Sequence, residues 1–232
     1  MNGNGTGKLK REGREVSTPR GQALKRPGPV GGVRDLNRQK KAQTIRDAAL
    51  LLFLERGIEA VSVDDIMKSA RMAKGSFYRY YADQTALVED IMQATQELMT
   101  RALEQCSRDL ETASTREAMF KAYARIGEVL ATLLMEYPGP VRLFLQESRA
   151  PAQGARRPII ELSRTVSQYA IEMTKTAQKH GILKPIPVAV SALTVVGAAE
   201  RLLLAVLHDE DIGNVLEVPA ALTTLILDGL RA

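Results

Sequence analysis

Four of the ten Phe and Tyr residues fall within five positions, Phe77, Tyr78, Tyr80 and Tyr81, and the surrounding stretch 71–81 carries Arg71, Lys74 and Arg79 without one acid. That cluster closes a short, sharply punctuated segment. Ser62 has Asp65 three residues on, close to the spacing of a capping box, and so opens a helix. Ile66 and Met67 face inward from it. A break follows at Arg71-Met72-Ala73, a short helix spans about Lys74 to Tyr80, and Asp83 caps the next helix. Phe77 and Tyr81 lie four apart and share one face, which suits a core. Tyr78 and Tyr80 are left on other faces beside cations. Gly75 and Ser76 are small, so the start of this helix can approach another molecule closely.

The flanking sequence has the period of helices. From Arg38, the residues Ile45, Ala48, Ala49, Leu52 and Phe53 recur at three- and four-residue spacing, and Gly57 ends the run. Ser114 and Glu117 have capping-box spacing before a long helix through Met119, Ile126, Leu130 and Leu134, which Pro138-Gly139-Pro140 is expected to end. A short helix covers Val141 to Glu147, and Ala150 to Arg157 reads as a loop. Pro158 suits the first turn of a helix through Leu162, Val166, Tyr169 and Met173 to Gly181. An apolar helix Val188–His208 and a last helix Pro219–Leu230 complete the chain. No window alternates as a strand does, so the fold class is all-α. The expected organisation is a disordered basic tail at 1–36, a helix-turn-helix domain at 37–83 with its motif at about 62–81, and a larger helical domain at 84–232.

Charge is distributed unevenly. Residues 1–41 hold 11 Lys and Arg against 3 Asp and Glu, a net of +8; residues 42–83 balance at 6 and 6; residues 84–232 hold 15 against 18, a net of −3. A cationic arm beside a neutral domain suits a polyanion. Cys106 is the one cysteine, so no intrachain disulfide can form, which fits a reducing cytoplasm. The first 25 residues contain no apolar run of the kind a signal peptide needs. The 20 residues Val188–Leu207 are apolar enough to suggest a membrane span, yet Glu200 and Arg201 sit inside them, at roughly 2.5–3.5 kcal/mol each in hydrocarbon. A helix buried in a bundle or dimer accounts for them better. His180 and His208 are the only histidines, and no His/Cys/carboxylate spacing suggests a metal site or a catalytic constellation. No enzyme activity, cofactor or metal is expected.

Two short helices joined by a tight turn, the second basic and aromatic, form a helix-turn-helix pattern. The residues Ser62-Val63-Asp64-Asp65-Ile66, then Ala70 to Tyr81, then Leu87 resemble the DNA-binding domain of the TetR/AcrR family of bacterial transcriptional regulators. The match covers roughly residues 40–90; the remainder is similar in layout only. The resemblance implies a homodimeric, ligand-responsive repressor in the bacterial cytoplasm, nucleoid-associated when on DNA and released from a palindromic operator by a small-molecule effector. It implies that Ser62 holds a phosphate, that Lys74, Gly75, Ser76 and Arg79 face the major groove, and that Tyr78 and Tyr80 touch phosphates or base edges. It also implies a dimer interface on the last two helices, with Ala198, Leu202, Leu203, Leu222 and Ile226, and a pocket in the helices before them. The candidate pocket residues are large or polar on otherwise apolar faces: Tyr123, Phe144, Gln146, Tyr169 and Met173. Three positions depart from the family pattern. Arg71 replaces the turn glycine and could add a phosphate contact, Ala73 replaces a Ser or Thr cap, and Gln84 replaces a phosphate-contacting Lys. A rival reading is an architectural protein that coats DNA through its basic tail with little specificity.

Overall fold

The computed structural model describes Met1, residues 32–214 and residues 217–229. The described elements are helical, with no strand among the described residues: α1 (Val33–Arg56), α2 (Val63–Ser69), a short 3₁₀ helix (Lys74–Arg79), α3 (Gln84–Thr112), α4 (Arg116–Glu136), α5 (Pro138–Glu147), a 3₁₀ turn (Gly154–Arg156), α6 (Arg157–Lys179), α7 (Val188–Leu207) and α8 (Val218–Gly229). The all-α expectation is met.

Most of the expected tail, residues 2–31, lies outside the described residues. Its last four residues, 33–36, are already helical: α1 begins at Val33, five residues before the expected Arg38. Residues 33–44 are almost wholly exposed, so no apolar period marks this part of the helix, and Asp35 in the first turn complements the helix dipole instead. The cap of α4 is Thr115, whose hydroxyl oxygen accepts from the Ala118 N–H at 3.2 Å; the expected Ser114–Glu117 box does not form because Glu117 is one position too early for it. Pro138 opens α5 as well as ending α4, since a proline at a helix start gives up an N–H that would have had no partner there.

Two hydrophobic cores organise the chain. The first joins Ile45, Ala49 and Phe53 of α1 to Ile66 and Met67 of α2, Phe77 and Tyr81, Leu87, Val88, Ile91 and Met92 of α3, and then Leu143 of α5 with Ile159 and Leu162 of α6. The second gathers Leu103, Cys106 and Leu110 of α3 with Met119 and Ala122 of α4 and with Met173 and Ala177 of α6. Helix α3 therefore carries both. Helix α7 is the outlier. It is long and apolar enough to cross a membrane, with a mean hydropathy of 1.8, yet only 17% of it is buried. Val190 and Leu193 of α7 and Leu225 of α8 stand in solvent.

Candidate nucleic-acid interface

The α2 start is locked by a full capping box. The Asp65 N–H donates to Ser62 Oγ (3.2 Å), and the Ser62 N–H (3.0 Å) and hydroxyl (2.5 Å) both donate to Asp65 Oδ2. Those hydrogen bonds hold the Asp65 carboxyl below its usual range, the Ser62 hydroxyl contributing most. The Ser62 hydroxyl proton is thus engaged inside the protein.

Helix α2 ends in a Schellman turn: the Met72 N–H reaches Met67 O (2.9 Å) and the Arg71 N–H reaches Lys68 O (3.0 Å). That geometry puts the intervening residue in the left-handed region, and Arg71 occupies it with φ 54°. The turn keeps its shape without glycine, at a conformational cost of roughly 1–2 kcal/mol. In return, an exposed guanidinium projects from the turn.

Ala73 begins the next helix without a side-chain cap. Ser76 supplies a substitute, its hydroxyl donating to Ala73 O at 2.7 Å. Ser76 is buried, so it braces the turn; the expectation that it faces a groove is corrected by this bond. Phe77 is fully buried, and Tyr81 nearly so. The Tyr81 hydroxyl donates to Asp90 Oδ2 (2.6 Å), and Arg46 of α1 holds the other oxygen of the same carboxylate (2.9 Å). Burial, then the Asp90 contact, pushes the Tyr81 phenol far above its usual range. Two side chains of the segment therefore fix it to the core, and the rest face outward. Tyr78 is 64% exposed and stacks edge-on against Phe77. Lys74, Gly75 and Arg79 are exposed, while Tyr80 is half-buried against the first core. Lys74 lies 3.8 Å from Asp64, which also binds Lys68 (2.8 Å), so this cation stays near the start of the segment. Gly75 has open space where a Cβ would be.

A polar clamp joins this region to the C-terminal helices, and sequence reasoning missed it. Glu147, the last residue of α5, is buried; its Oε1 accepts the Ile58 N–H (3.2 Å) and its Oε2 accepts Arg156 Nε (2.5 Å). Gln146 Nε2 donates to Phe53 O, a carbonyl in the last turn of α1, at 3.1 Å. From the other side, Gln84 Nε2 donates to Ile58 O (3.3 Å) and Val61 O (3.0 Å). The 57–61 loop is therefore held by α5 and by the start of α3. Gln84, which departs from the expected lysine, spends its side chain on this loop. Its only sequence signal was that departure.

The candidate pocket residues divide. Tyr123, Tyr169 and Met173 come together around the second core. Phe144 packs on the first core, and Gln146 is exposed and bound to α1, so these two do not join the others. Cys106 is buried in the second core, and its thiol is pushed up to about 12 by burial and then by Asp109, which leaves it a poor nucleophile. Of the residues expected at a dimer interface, Ala198, Leu202 and Leu203 on α7 and Leu222 on α8 are partly exposed; Ile226 lies on α8 with its side chain outside the described residues. The two charges inside α7 are both paired, Glu200 with Arg149 (2.9 Å) and Arg201 with Glu210 (2.7 Å). Among the described residues, no group of three or more His, Cys, Asp and Glu could hold a metal ion.

A short, core-anchored helix that follows a tight turn and presents Arg71, Lys74, Tyr78 and Arg79 outward defines a helix-turn-helix protein. This chain matches, over residues 45–91, the family model described as bacterial regulatory proteins, tetR family. It is 31% identical over 86 residues to the transcriptional regulator AcuR of Cereibacter sphaeroides, which is 37% of this chain and 38% of AcuR. The match spans less than half the length of each curated relative, from 16% to 47%. In three dimensions the likeness extends further. A TetR family transcriptional regulator from Chloroflexus aurantiacus J-10-FL superposes with a TM-score of 0.65 at 19% identity, over 84% of this chain and 94% of that one. AibR, in complex with isovaleryl coenzyme A and operator DNA, superposes with a TM-score of 0.57 at 17% identity, over 81% and 98%. At such identities these two establish the fold, an N-terminal helix-turn-helix with a helical C-terminal domain.

Proposed function

We propose that this chain is a sequence-specific DNA-binding transcriptional regulator of the bacterial cytoplasm that acts as a homodimer and represses from a palindromic operator until a small-molecule effector releases it. The carrying observation is the segment 71–81. Phe77 and Tyr81 are buried, while Arg71, Lys74, Tyr78 and Arg79 are exposed on a stretch that carries no acid of its own, with Asp64 of α2 3.8 Å from Lys74. Cations and a tyrosine hydroxyl on the first turns of a short helix suit phosphates and base edges in a major groove. Tyr80, half-buried beside these residues, is a further candidate phosphate contact, whereas the N–H and hydroxyl of Ser62 are both engaged by Asp65. Residues 37–83 would serve as the DNA-binding domain and 84–232 as the sensing and dimerisation domain. Selection of bound duplexes from a random library, followed by footprinting, tests the reading. A discrete inverted repeat supports it, and uniform protection without a preferred sequence refutes it in favour of a low-specificity architectural role.

The homodimer is supported by α7. An apolar helix that is only 17% buried within one chain needs a cover, and its two paired charges fit a protein surface better than hydrocarbon. To read two half-sites, a dimer through α7 and α8 would have to set its recognition segments about one DNA turn apart, roughly 34–36 Å. Replacing Ala198 and Leu202 together by Asp should yield monomers that lose operator binding, read by analytical ultracentrifugation. Wild-type monomers at micromolar concentration would refute the dimer. AibR, which shares the fold, carries an acyl thioester together with operator DNA, and that pairing supports an effector site in the C-terminal helices here. Tyr123, Tyr169 and Met173 are the candidates that converge there. Helix α5 packs against α4 and α7 and holds the 57–61 loop through Glu147, so a shift of those helices on effector binding has a physical route to the DNA-binding end.

A further inference from the structure

Helix α1 outruns the domain it packs on. Ala42 is its first residue against the first core, and Ile45 its first buried one. Residues 33–41 continue the helix roughly 13 Å beyond Ala42, and all of them but Asp35 are exposed. A helix this short is marginal in water, and most helical stability in proteins comes from packing an apolar face. Packing within the chain therefore gives no reason for these extra turns. Their charges are sorted. At 3.6 residues per turn, Arg34, Arg38 and Lys41 stand within about 60° of one another, on the same stripe as Ile45, Ala49 and Leu52. The face that is buried farther along α1 is thus cationic at its start. Leu36, Gln39 and Gln43 occupy the opposite face, and Lys40 lies roughly 130° off the stripe. Asp35, the one acid of the extension, lies about 90° off it, and its Oδ2 accepts Gln39 Nε2 at 3.3 Å. Among the described residues no salt bridge involves Arg34, Arg38, Lys40 or Lys41, whereas Arg46, inside the packed part, is paired with Asp90 at 2.9 Å.

The stripe lies at the end of the molecule that carries the recognition segment. Tyr81, just after that segment, has its Oη 3.4 Å from Ala42 O, at the root of the extension. The other end of α1 is held by α5, through Gln146 and Phe53 O. The extension therefore passes the end of the segment 71–81 on the side away from the C-terminal helices, and its cations continue the face that packs on Phe77 and Tyr81. From Arg34 to Lys41 the helix rises roughly 10 Å, over which one strand of a duplex presents about three phosphates.

We propose that Arg34, Arg38 and Lys41 form a second DNA contact, which grips the phosphate backbone just outside the base pairs read by residues 71–81. The contact deepens the DNA-binding reading above and rests on it. It adds affinity without base discrimination, because phosphates carry no sequence. The full chain is compared with the triple variant Arg34→Gln, Arg38→Gln, Lys41→Gln and with Lys40→Gln, by fluorescence anisotropy from about 50 to 200 mM salt. The duplexes are the selected operator with flanking base pairs, the same operator trimmed to its half-sites, and a scrambled duplex of the flanked length. Glutamine keeps the helix propensity and removes the charge, so melting temperatures should not change. On both long duplexes the triple variant should flatten the slope of log Kd against log salt by about 2–3 units, and Lys40→Gln by less than about one. On the trimmed operator the triple variant and the wild type should bind alike. Preference for the operator over the scrambled duplex should persist in every variant. A wild-type slope in the triple variant, an equal flattening on the trimmed operator, or a flattening by Lys40→Gln as large as the triple variant's would each overturn the proposal. The scrambled duplex reports the grip even where no operator is selected, and operator preference survives a failed grip, so the two readings fail separately.

Discussion

Replacing Glu147 by Ala should destabilise the protein by about 3–5 kcal/mol, the range for breaking a buried ion pair from one side. The carboxylate side chain is 5% exposed and the facing Arg156 side chain 14%, so solvent cannot replace the lost partner. Two groups are stranded. The Arg156 guanidinium keeps only Glu59, at 4.0 Å, and the Ile58 N–H loses its acceptor. The second loss alone is worth about 1–3 kcal/mol. The double substitution Glu147→Met with Arg156→Met removes both charges and fills the space. It should recover all but about 1–3 kcal/mol, the remainder being the unpaired Ile58 N–H. The assay is urea unfolding of the three proteins at one pH, with midpoints and slopes compared. A single-variant loss below about 1 kcal/mol would refute the reasoning, because a pair that matters so little is already hydrated. So would a double variant less stable than the single one. The Glu147→Ala protein should also exchange its Ile58 amide faster than the wild type, since that N–H opens with the clamp.

Arg71→Gly should leave stability unchanged or raise it by at most about 1 kcal/mol, because relief of the left-handed arginine (roughly 1–2 kcal/mol) is offset by the unfolded-state entropy of glycine. Thermal melts check this, and a loss above 1 kcal/mol contradicts it; operator affinity should fall in the same variant. The Tyr81 phenol is raised by burial, so its neutral form stabilises the fold fully below the ordinary tyrosine value near 10 and loses that contribution as pH climbs toward the elevated folded value. The wild type should therefore lose stability steeply above about pH 10, and Tyr81→Phe less so, in melts taken from pH 7 to 11. Gln84→Ala should cost about 1 kcal/mol through its two lost hydrogen bonds to the 57–61 loop, and Gln84→Lys should not recover it, in the same urea assay.

How much of this was legible follows from distance along the chain. Ser62–Asp65, the 71–81 break and the inward Phe77 and Tyr81 are local features, set by hydrogen bonds and helical period within a few residues, and the sequence sufficed for them. The roles of Arg71, Ala73 and Gln84 were visible only as departures. What each does instead required the fold: a Schellman turn around Arg71, the Ser76 brace under Ala73, and the Gln84 grip on Ile58 and Val61. The Glu147 clamp pairs α5 with a loop 89 residues earlier, which no spacing rule reaches. The same limit governed the pocket candidates. Tyr169 and Met173 lie one turn apart on α6 and stay together, whereas Gln146 was chosen for being polar on an apolar helix, and its amide turns to α1. The start of α1 was missed because its first turns face solvent and carry no apolar signal.

The central claim is that residues 71–81 read DNA, and it is tested most directly by titrating a selected operator duplex and a scrambled duplex with the wild type, Lys74→Ala and Tyr78→Phe at fixed salt. Both side chains are exposed, so the melting temperatures should not change. Each variant should bind the operator about 1–3 kcal/mol more weakly, the range for hydrogen bonds to charged groups. Loss of affinity at constant stability, larger on the operator than on the scrambled duplex for at least one of the two, is the expected result. Wild-type affinity for the operator in both variants would contradict the account.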